Sequence, residues 1–345
     1  MYKEQSKQTS FFGNMIYEQI IPKDHFLRKL LGIVDFSFVN ELCKDLYCSD
    51  NGRPCWEPQI IFKALFLQFL YDLSDYDIED EINDRLSFKW FLGIEADESG
   101  PDHSTLSVFR DRLGTERFTG IFNKIVEIAR SNKLVSDKLH IVDSTHVQAK
   151  VDLFKLKKDK SKDDPDDYVD KNSPDPDARF GRKTKNKPFY GYKQHIRMDA
   201  ESEIIVDQHI TSGNEADKTH FADVVPKSRG PGVITADKSY DSRQNHKLLA
   251  KSRIRNGIIP RKHKSSYNFA KRVSKVARKY RILIEHKFAE VKRWHTLNKA
   301  RYWGLTKVTI QCLLASVVVN CKRMVNLLWS LTSPPKISLR IVSAK

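Results

Sequence analysis

Two short apolar runs in this chain each stop at an aspartate. One is His140 to Val142, ending at Asp143; the other is VITA, ending at Asp237. Runs of this length read as buried strands rather than helices. The residues ahead of the acid fill a core, and the strand end sets the carboxylate at a sheet edge, where a site opens. FYGYKQHIRMD (189–199) and EIIVDQHITSG (203–213) read as a hairpin joined through Asp199 to Ser202. Residues 214–225 and 243–254 read as helices, GIIP as a short strand, and 272–300 as a long basic helix carrying Glu285. Strands alternating with helices define an α/β unit.

The preceding residues, 1–135, read as all-α. Glu57-Pro58 opens the apolar helix IIFKALFLQFLYDL, and Ser74 precedes an acidic amphipathic stretch. Pro101-Asp102-His103-Ser104 is a break and a cap, followed by the short helix TLSVFRDRLG and a second helix from Arg117 to Ala129. Short helices with a Gly/Pro-containing connection form helix-turn-helix units, which would make Ser104, Thr105, Ser107, Arg110 and Arg112 a DNA-facing set. The long acidic connection EADESGPDH favours the alternative, a plain helical bundle. The tract from about 157 to 187 is charged, proline-containing and aromatic-poor, so it reads as an exposed loop. A last apolar helix spans about 305–330. The division is thus a helical domain 1–135, an α/β domain 136–330 with the polar loop 157–187, and a tail 331–345.

Charge narrows the partner. Lysine and arginine total 60 against 44 acids, a net +16. From Asp241 to Ala300 there are 18 basic residues and three acids, so this window alone carries +15. A concentrated positive region fits a polyanion, either nucleic acid or an anionic membrane. The apolar run Val308 to Cys321 spans 14 residues and ends in Lys322-Arg323, which suits a buried core helix better than a membrane span. The N-terminus MYKEQSKQTSFFGNM is too polar for a signal peptide. Cys43, Cys48, Cys55, Cys312 and Cys321 form no CxxC pair and have no histidine at zinc-finger spacing, so reduced thiols in a cytoplasmic protein are expected, and the basic charge adds association with the nucleoid as the expected place.

Asp143 and Asp237 on neighbouring strands, with Glu285 on a helix beside them, would place three hard oxygen donors together. Such donors suit Mg²⁺ or Mn²⁺ rather than Zn²⁺. Each acid alone has a plainer reading: a strand-end aspartate is commonly a turn former or cap, and Glu285 stands at i,i+4 spacing from Arg281. Lys292 lies two turns beyond Glu285 on about the same face and suits a phosphate. Arg281 suits either a phosphate or a salt bridge that orients Glu285. Lys238 and Lys193 are further DNA-contact candidates. Asp241 reads as a turn or cap residue, His146 and His195 as core or supporting residues rather than ligands, and Trp294 as core or as a stacking platform for a base.

The local sequences add a family likeness. IVDSTHVQAK around Asp143 and VITADKSYDS around Asp237 resemble the first two catalytic blocks of bacterial insertion-sequence DDE transposases. RILIEHKFAEVKRW resembles the third, whose pattern is Tyr-x2-Arg-x3-Glu-x6-Lys; Arg281, Glu285 and Lys292 stand in register, and the register selects Glu285 over Glu290. The tyrosine place is Arg278 here, with Tyr280 close by. GRPCWEPQIIFKALFLQFLYDLSDYDIEDEINDRLSFKWFLGI followed by PDHSTLSVFR resembles the domain that precedes many such catalytic domains, so the likeness covers roughly 15–328. It implies an RNase H-like mixed five-stranded sheet flanked by helices. It further implies two Mg²⁺ ions, with Mn²⁺ as the alternative, held by Asp143, Asp237 and Glu285. It implies cleavage at terminal inverted repeats of double-stranded DNA, transfer of the 3′ ends to target DNA, and a homodimer on DNA. The rivals are an inactive or domesticated DNA-binding protein of the same fold and a simple nuclease; the intact triad and the N-terminal domain argue against them.

Overall fold

The computed structural model describes residues 10–48, 55–158, 165–184, 187–226, 230–261 and 267–332. The helical half contains α1 (Phe11–Ile20), α2 (Phe26–Leu31), α3 (Phe38–Cys43), α4 (Pro58–Leu70), α5 (Asp75–Asp84), α6 (Leu86–Leu92) and α7 (His103–Ser131). Their ends are written in the sequence. Pro58 takes the first position of α4, where its missing N–H costs nothing. Ser74 and Asp77 form a reciprocal capping box at α5, each bond 3.1 Å. Asp102 accepts from Thr105 N at 2.6 Å and starts α7. Halfway along α7, Gly114 breaks the helix at φ +60°, a conformation that favours glycine. The two helices expected there are thus present, before and after Gly114, and meet end to end at this kink. Nine of the 13 residues of α4 are buried, and Phe36, Phe62, Phe66 and Phe91 meet around it with ring centres 5.8–6.0 Å apart.

The α/β half follows as β1 (Leu139–Gln148), α8 (Leu153–Lys158), α9 (Pro165–Asn172), β2 (Arg179–Thr184), β3 (Lys187–Asp199) and β4 (Ile205–Ser212). After these come α10 (Phe221–Val224), β5 (Val233–Ala236), α11 (Arg243–Lys251), β6 (Arg255–Ile258), α12 (Tyr267–Trp294) and α13 (Leu305–Thr332). β1 pairs antiparallel with β3 and parallel with β5, and β5 pairs parallel with β6. β3 uses its far edge twice: residues 192–198 pair with β4, and residues 187–191 pair with β2. Gly191 sits at this junction, where an added Cβ would come within 2.2 Å of the Val147 carbonyl oxygen.

The mixed sheet flanked by helices is as expected, but it has six strands rather than five. The extra strand, β2, and the helix α9 both come from the tract expected to be a loop; residues 159–164 and 185–186 of that tract lie outside the described residues. Apolar anchors inside the charged sequence explain the difference. Val169 and Ala178 are fully buried. Asp175 and Asp177 accept from Gly304 N (3.1 Å) and Leu305 N (2.8 Å), so the tract's acids cap the start of α13.

One hydrophobic core runs from Leu27 through α4, α6 and α7 to one face of the sheet, α12 and α13. The boundary near residue 135 is therefore a change of pattern and not a gap in packing. A second core, Val142, Phe221, Val224, Ile234, Tyr240, Leu249 and Ile258, covers the opposite face. Leu305–Trp329 is long and apolar enough to cross a membrane, but 83% of its most apolar window is buried against the rest of the protein. The tail from residue 333 onward lies outside the described residues.

Candidate active site

β1 continues six residues past Val142, so Asp143 stands within a strand and not at its end. The sheet still opens beside it, because β5 stops at Ala236. Val142 pairs with Ala236 as the last parallel rung, which puts Asp143 beside Asp237, the first residue past β5, about 5 Å apart at the backbone. Asp237 then turns the chain: its carboxylate accepts from Ser239 N and caps a 3-10 turn, Lys238–Tyr240.

α12 closes the cleft. Ile284, Phe288 and Val291 are buried, while Arg281 and Glu285 lie one turn apart on an exposed flank. Asp143, Asp237, Arg281 and Ile284 line one cleft with Ile141, Thr235 and Ile259. Arg281 joins the acids: its Nε donates to Glu285 Oε1 at 2.9 Å, and its Nη1 lies 3.5 Å from Asp237 Oδ2. Glu290, the other acid on α12, is taken up by Lys287 (2.8 Å) and Lys322 (3.1 Å).

Electrostatics single out Asp143. Desolvation in the cleft, with Asp237 and Asp217 nearby, pushes its carboxyl up to about 7, against the pull of the Ser144 N–H and Arg281. Burial works against the Arg281 charge, but Glu285, Asp143 and Asp237 together hold its proton more tightly than usual. The donor set fits a divalent cation on two counts. All donors are hard oxygens, and the cleft already draws a positive group, the Arg281 guanidinium, between two of the carboxylates.

The remaining candidates separate. Lys238 is exposed beside Asp237, and Lys292 is half-buried two turns past Glu285. Lys193 is mostly buried and binds Asp217 (3.0 Å) and the Glu215 carbonyl (2.7 Å), so it holds a loop rather than reaching outward. Arg110 is 5% exposed and grips Asp75 with two bonds of 2.9 and 2.7 Å; it is a core residue, not a DNA-facing one. Arg112 is exposed and stacks over Tyr47 at 4.8 Å. Trp294 is 56% exposed, which removes the core reading. Asp241 is a buried tie, accepting from Arg261 N at 2.9 Å. His195 is buried and bonds Thr211 Oγ1 at 3.1 Å, and the His146 ring lies against Phe189. Tyr280 packs on the core; the Arg278 side chain lies outside the described residues.

Asp217 escaped the sequence reading. It sits in residues 214–220, expected as helix but built of turns; only Phe221–Val224 is helical. No local pattern marks it, because its partner Lys193 is 24 positions away.

Asp143 and Asp237 thus stand side by side at the mouth of a mixed sheet, with Glu285 on the helix that closes the cleft. The chain belongs to the DDE transposase family: the family model described as Transposase DDE domain matches residues 136–321, and Transposase domain (DUF772) matches residues 15–112. It is thus a DNA transposase, a metal-dependent enzyme that cleaves DNA. Among solved structures, a chain of the piggyBac transposase synaptic complex with hairpin DNA aligns over 94% of this chain and 84% of that one, at 11% identity and TM-score 0.39. A chain of the Mos1 transposase paired-end complex with left transposon end aligns over 81% and 82%, at 11% identity and TM-score 0.19.

Proposed function

We propose that Asp143, Asp237 and Glu285 are the catalytic carboxylates of an active transposase and together hold two Mg²⁺ ions, with Mn²⁺ as a substitute. The observation that carries this is the bridge of Arg281 to Asp237 and Glu285 beside a carboxyl raised to about 7. When bound, the ions neutralise phosphate charge and favour deprotonation of an attacking water or 3′-hydroxyl. The chain's own residues do the rest. The strand rung Val142–Ala236 fixes the spacing of the two aspartates. Arg281 sets the orientation of Glu285. Lys238 and Lys292 offer charge to the DNA backbone on either side of the cleft. Arg112 offers further charge on the helical half.

On this reading the protein recognises terminal inverted repeats, frees 3′ ends and joins them to target DNA. Two ends must be held together, which calls for a homodimer on DNA, acting on the chromosome in the cytoplasm. Cleavage of duplexes carrying the ends of its own element, with Mg²⁺, tests it. Asp143→Asn, Asp237→Asn and Glu285→Gln should each abolish cleavage while end binding persists. Cleavage surviving in any of the three removes that residue from the site. Light scattering of the protein with end DNA tests the dimer.

A further inference from the structure

A second cluster of ligand atoms lies away from the three carboxylates. Ser144, His195 and His209 fall on one row across β1, β3 and β4. Side chains alternate between faces along a strand, so this row faces away from Asp143, toward the side that α10 covers. His220 precedes α10 and Asp223 lies within it. Asp223 Oδ2 is 2.8 Å from His220 Nδ1 and 3.5 Å from His209 Nε2. One ligand atom from each of the three residues lies within 4.8 Å of the other two, and among the described residues this is the one such group of histidine, cysteine and acid.

We propose that His209, His220 and Asp223 form a site for a divalent transition ion, best matched by zinc, which clips α10 to β4. Two imidazoles and a carboxylate suit zinc, whereas the oxygen-only set at Asp143 suits magnesium. A tetrahedral ion with ligands near 2.1 Å spaces them about 3.4 Å apart, within reach of small side-chain movements here. The rings of His209 and His220 lie 5.3 Å apart, close to the roughly 5 Å that two imidazoles on one such ion adopt.

The surroundings are those of a supported site. Glu215 Oε2 lies 3.5 Å from His220 Nε2, the nitrogen left over when Nδ1 binds, and can accept its proton. His195 backs the cluster with its ring 5.4 Å from His220; it is 1% exposed and its Nδ1 has no hydrogen-bond partner. The side chains of His209 and Asp223 are 40% and 44% exposed, so the ion has a path in and solvent can complete its shell. The clip would brace residues 213–220, which carry Asp217, the partner of Lys193 and a neighbour in the electrostatics of Asp143.

The test uses the full chain without an affinity tag, stripped with chelator and titrated with Zn²⁺ and Co²⁺. One equivalent of Co²⁺ should give the visible absorption of a tetrahedral site and be displaced by Zn²⁺. His209→Gln and Asp223→Asn change exposed positions and, with circular dichroism unchanged, should weaken binding by at least about tenfold. Asp143→Asn should leave it intact. Absence of the band, binding unaltered in both cluster variants, or binding lost in Asp143→Asn overturns the proposal. The first two would leave His220 and Asp223 as a plain hydrogen-bonded pair.

Discussion

Arg281 and Asp237 face each other across the cleft, guanidinium nitrogen 3.5 Å from carboxylate oxygen, while the same side chain bonds Glu285 at 2.9 Å. In the metal-free protein this arginine stands where cationic charge is wanted. A divalent ion entering the carboxylate cluster meets its repulsion. At about 6 Å in a water-like dielectric, that repulsion is worth about 1.4 kcal/mol, or about tenfold in affinity. Arg281→Ala should therefore bind Mn²⁺ about tenfold more tightly by calorimetry yet cleave more slowly, because Glu285 loses its orienting partner. Weaker Mn²⁺ binding in the variant would show that Arg281 assembles the metal site instead of competing for it.

The raised carboxyl of Asp143 gives two pH dependences. Its folded value of about 7 lies above the ordinary 3.8, so the fold favours the protonated form. Between those values the folded state binds more protons, and stability falls as pH rises; above about 7 the full cost is present, and below about 4 it vanishes. Asp143→Asn removes that cost. The metal-free variant should be more stable than the parent at pH 8 by about 4 kcal/mol in urea unfolding, the advantage disappearing toward pH 4. An ion must also displace this proton, so apparent Mg²⁺ affinity should drop about tenfold per pH unit below 7 and level off above it. A flat profile from pH 5 to 8 would place the titrating group elsewhere.

Arg110 and Arg112, two positions apart on α7, should behave in opposite ways. Arg110 is locked to Asp75 and covered by Tyr302 at 5.0 Å. Arg110→Ala leaves Asp75 uncompensated and should cost about 3 kcal/mol of stability. Arg112→Ala removes an exposed cation, so stability should change by less than about 0.5 kcal/mol. If α7 lies on DNA, Arg112→Ala also lowers the salt slope of binding by about one. Equal stabilities for the two variants would contradict the burial of Arg110.

That pair shows what a sequence carries and what it hides. The apolar runs before Asp143 and Asp237, the hairpin after Asp199 and the caps at Pro58, Ser74 and Asp102 are local patterns, and each appears in the structure. Arg110 looks like a surface residue because its partner lies 35 positions away. The second half of β1, from Ser144 to Gln148, is mostly polar and has β3 as its one strand partner, so a single apolar residue, Val147, is too little to announce it. β2 is hidden for the same reason: it extends a sheet edge from within a charged tract. Residues 214–220 resemble a helix by composition but are held as turns by Lys193, which binds the Glu215 carbonyl.

Trp294 closes α12 beyond Lys292, with the Arg293 guanidinium 5.0 Å above its ring. It lines an open groove of about 670 Å³ with Phe26, Tyr71, Arg293 and Lys322. An exposed indole flanked by cations stabilises little of the fold, yet suits an unpaired base and its phosphate. Trp294→Ala should therefore keep the unfolding midpoint within a few degrees while weakening binding of ends that carry unpaired nucleotides by about 1–3 kcal/mol. Trp294→Phe should recover most of that loss, since a smaller ring still stacks. Tryptophan fluorescence quenched on adding such DNA, and unchanged in the Trp294→Phe variant, would locate the contact. Equal affinity of parent and Trp294→Ala for paired and unpaired ends would leave the groove without a role in DNA binding.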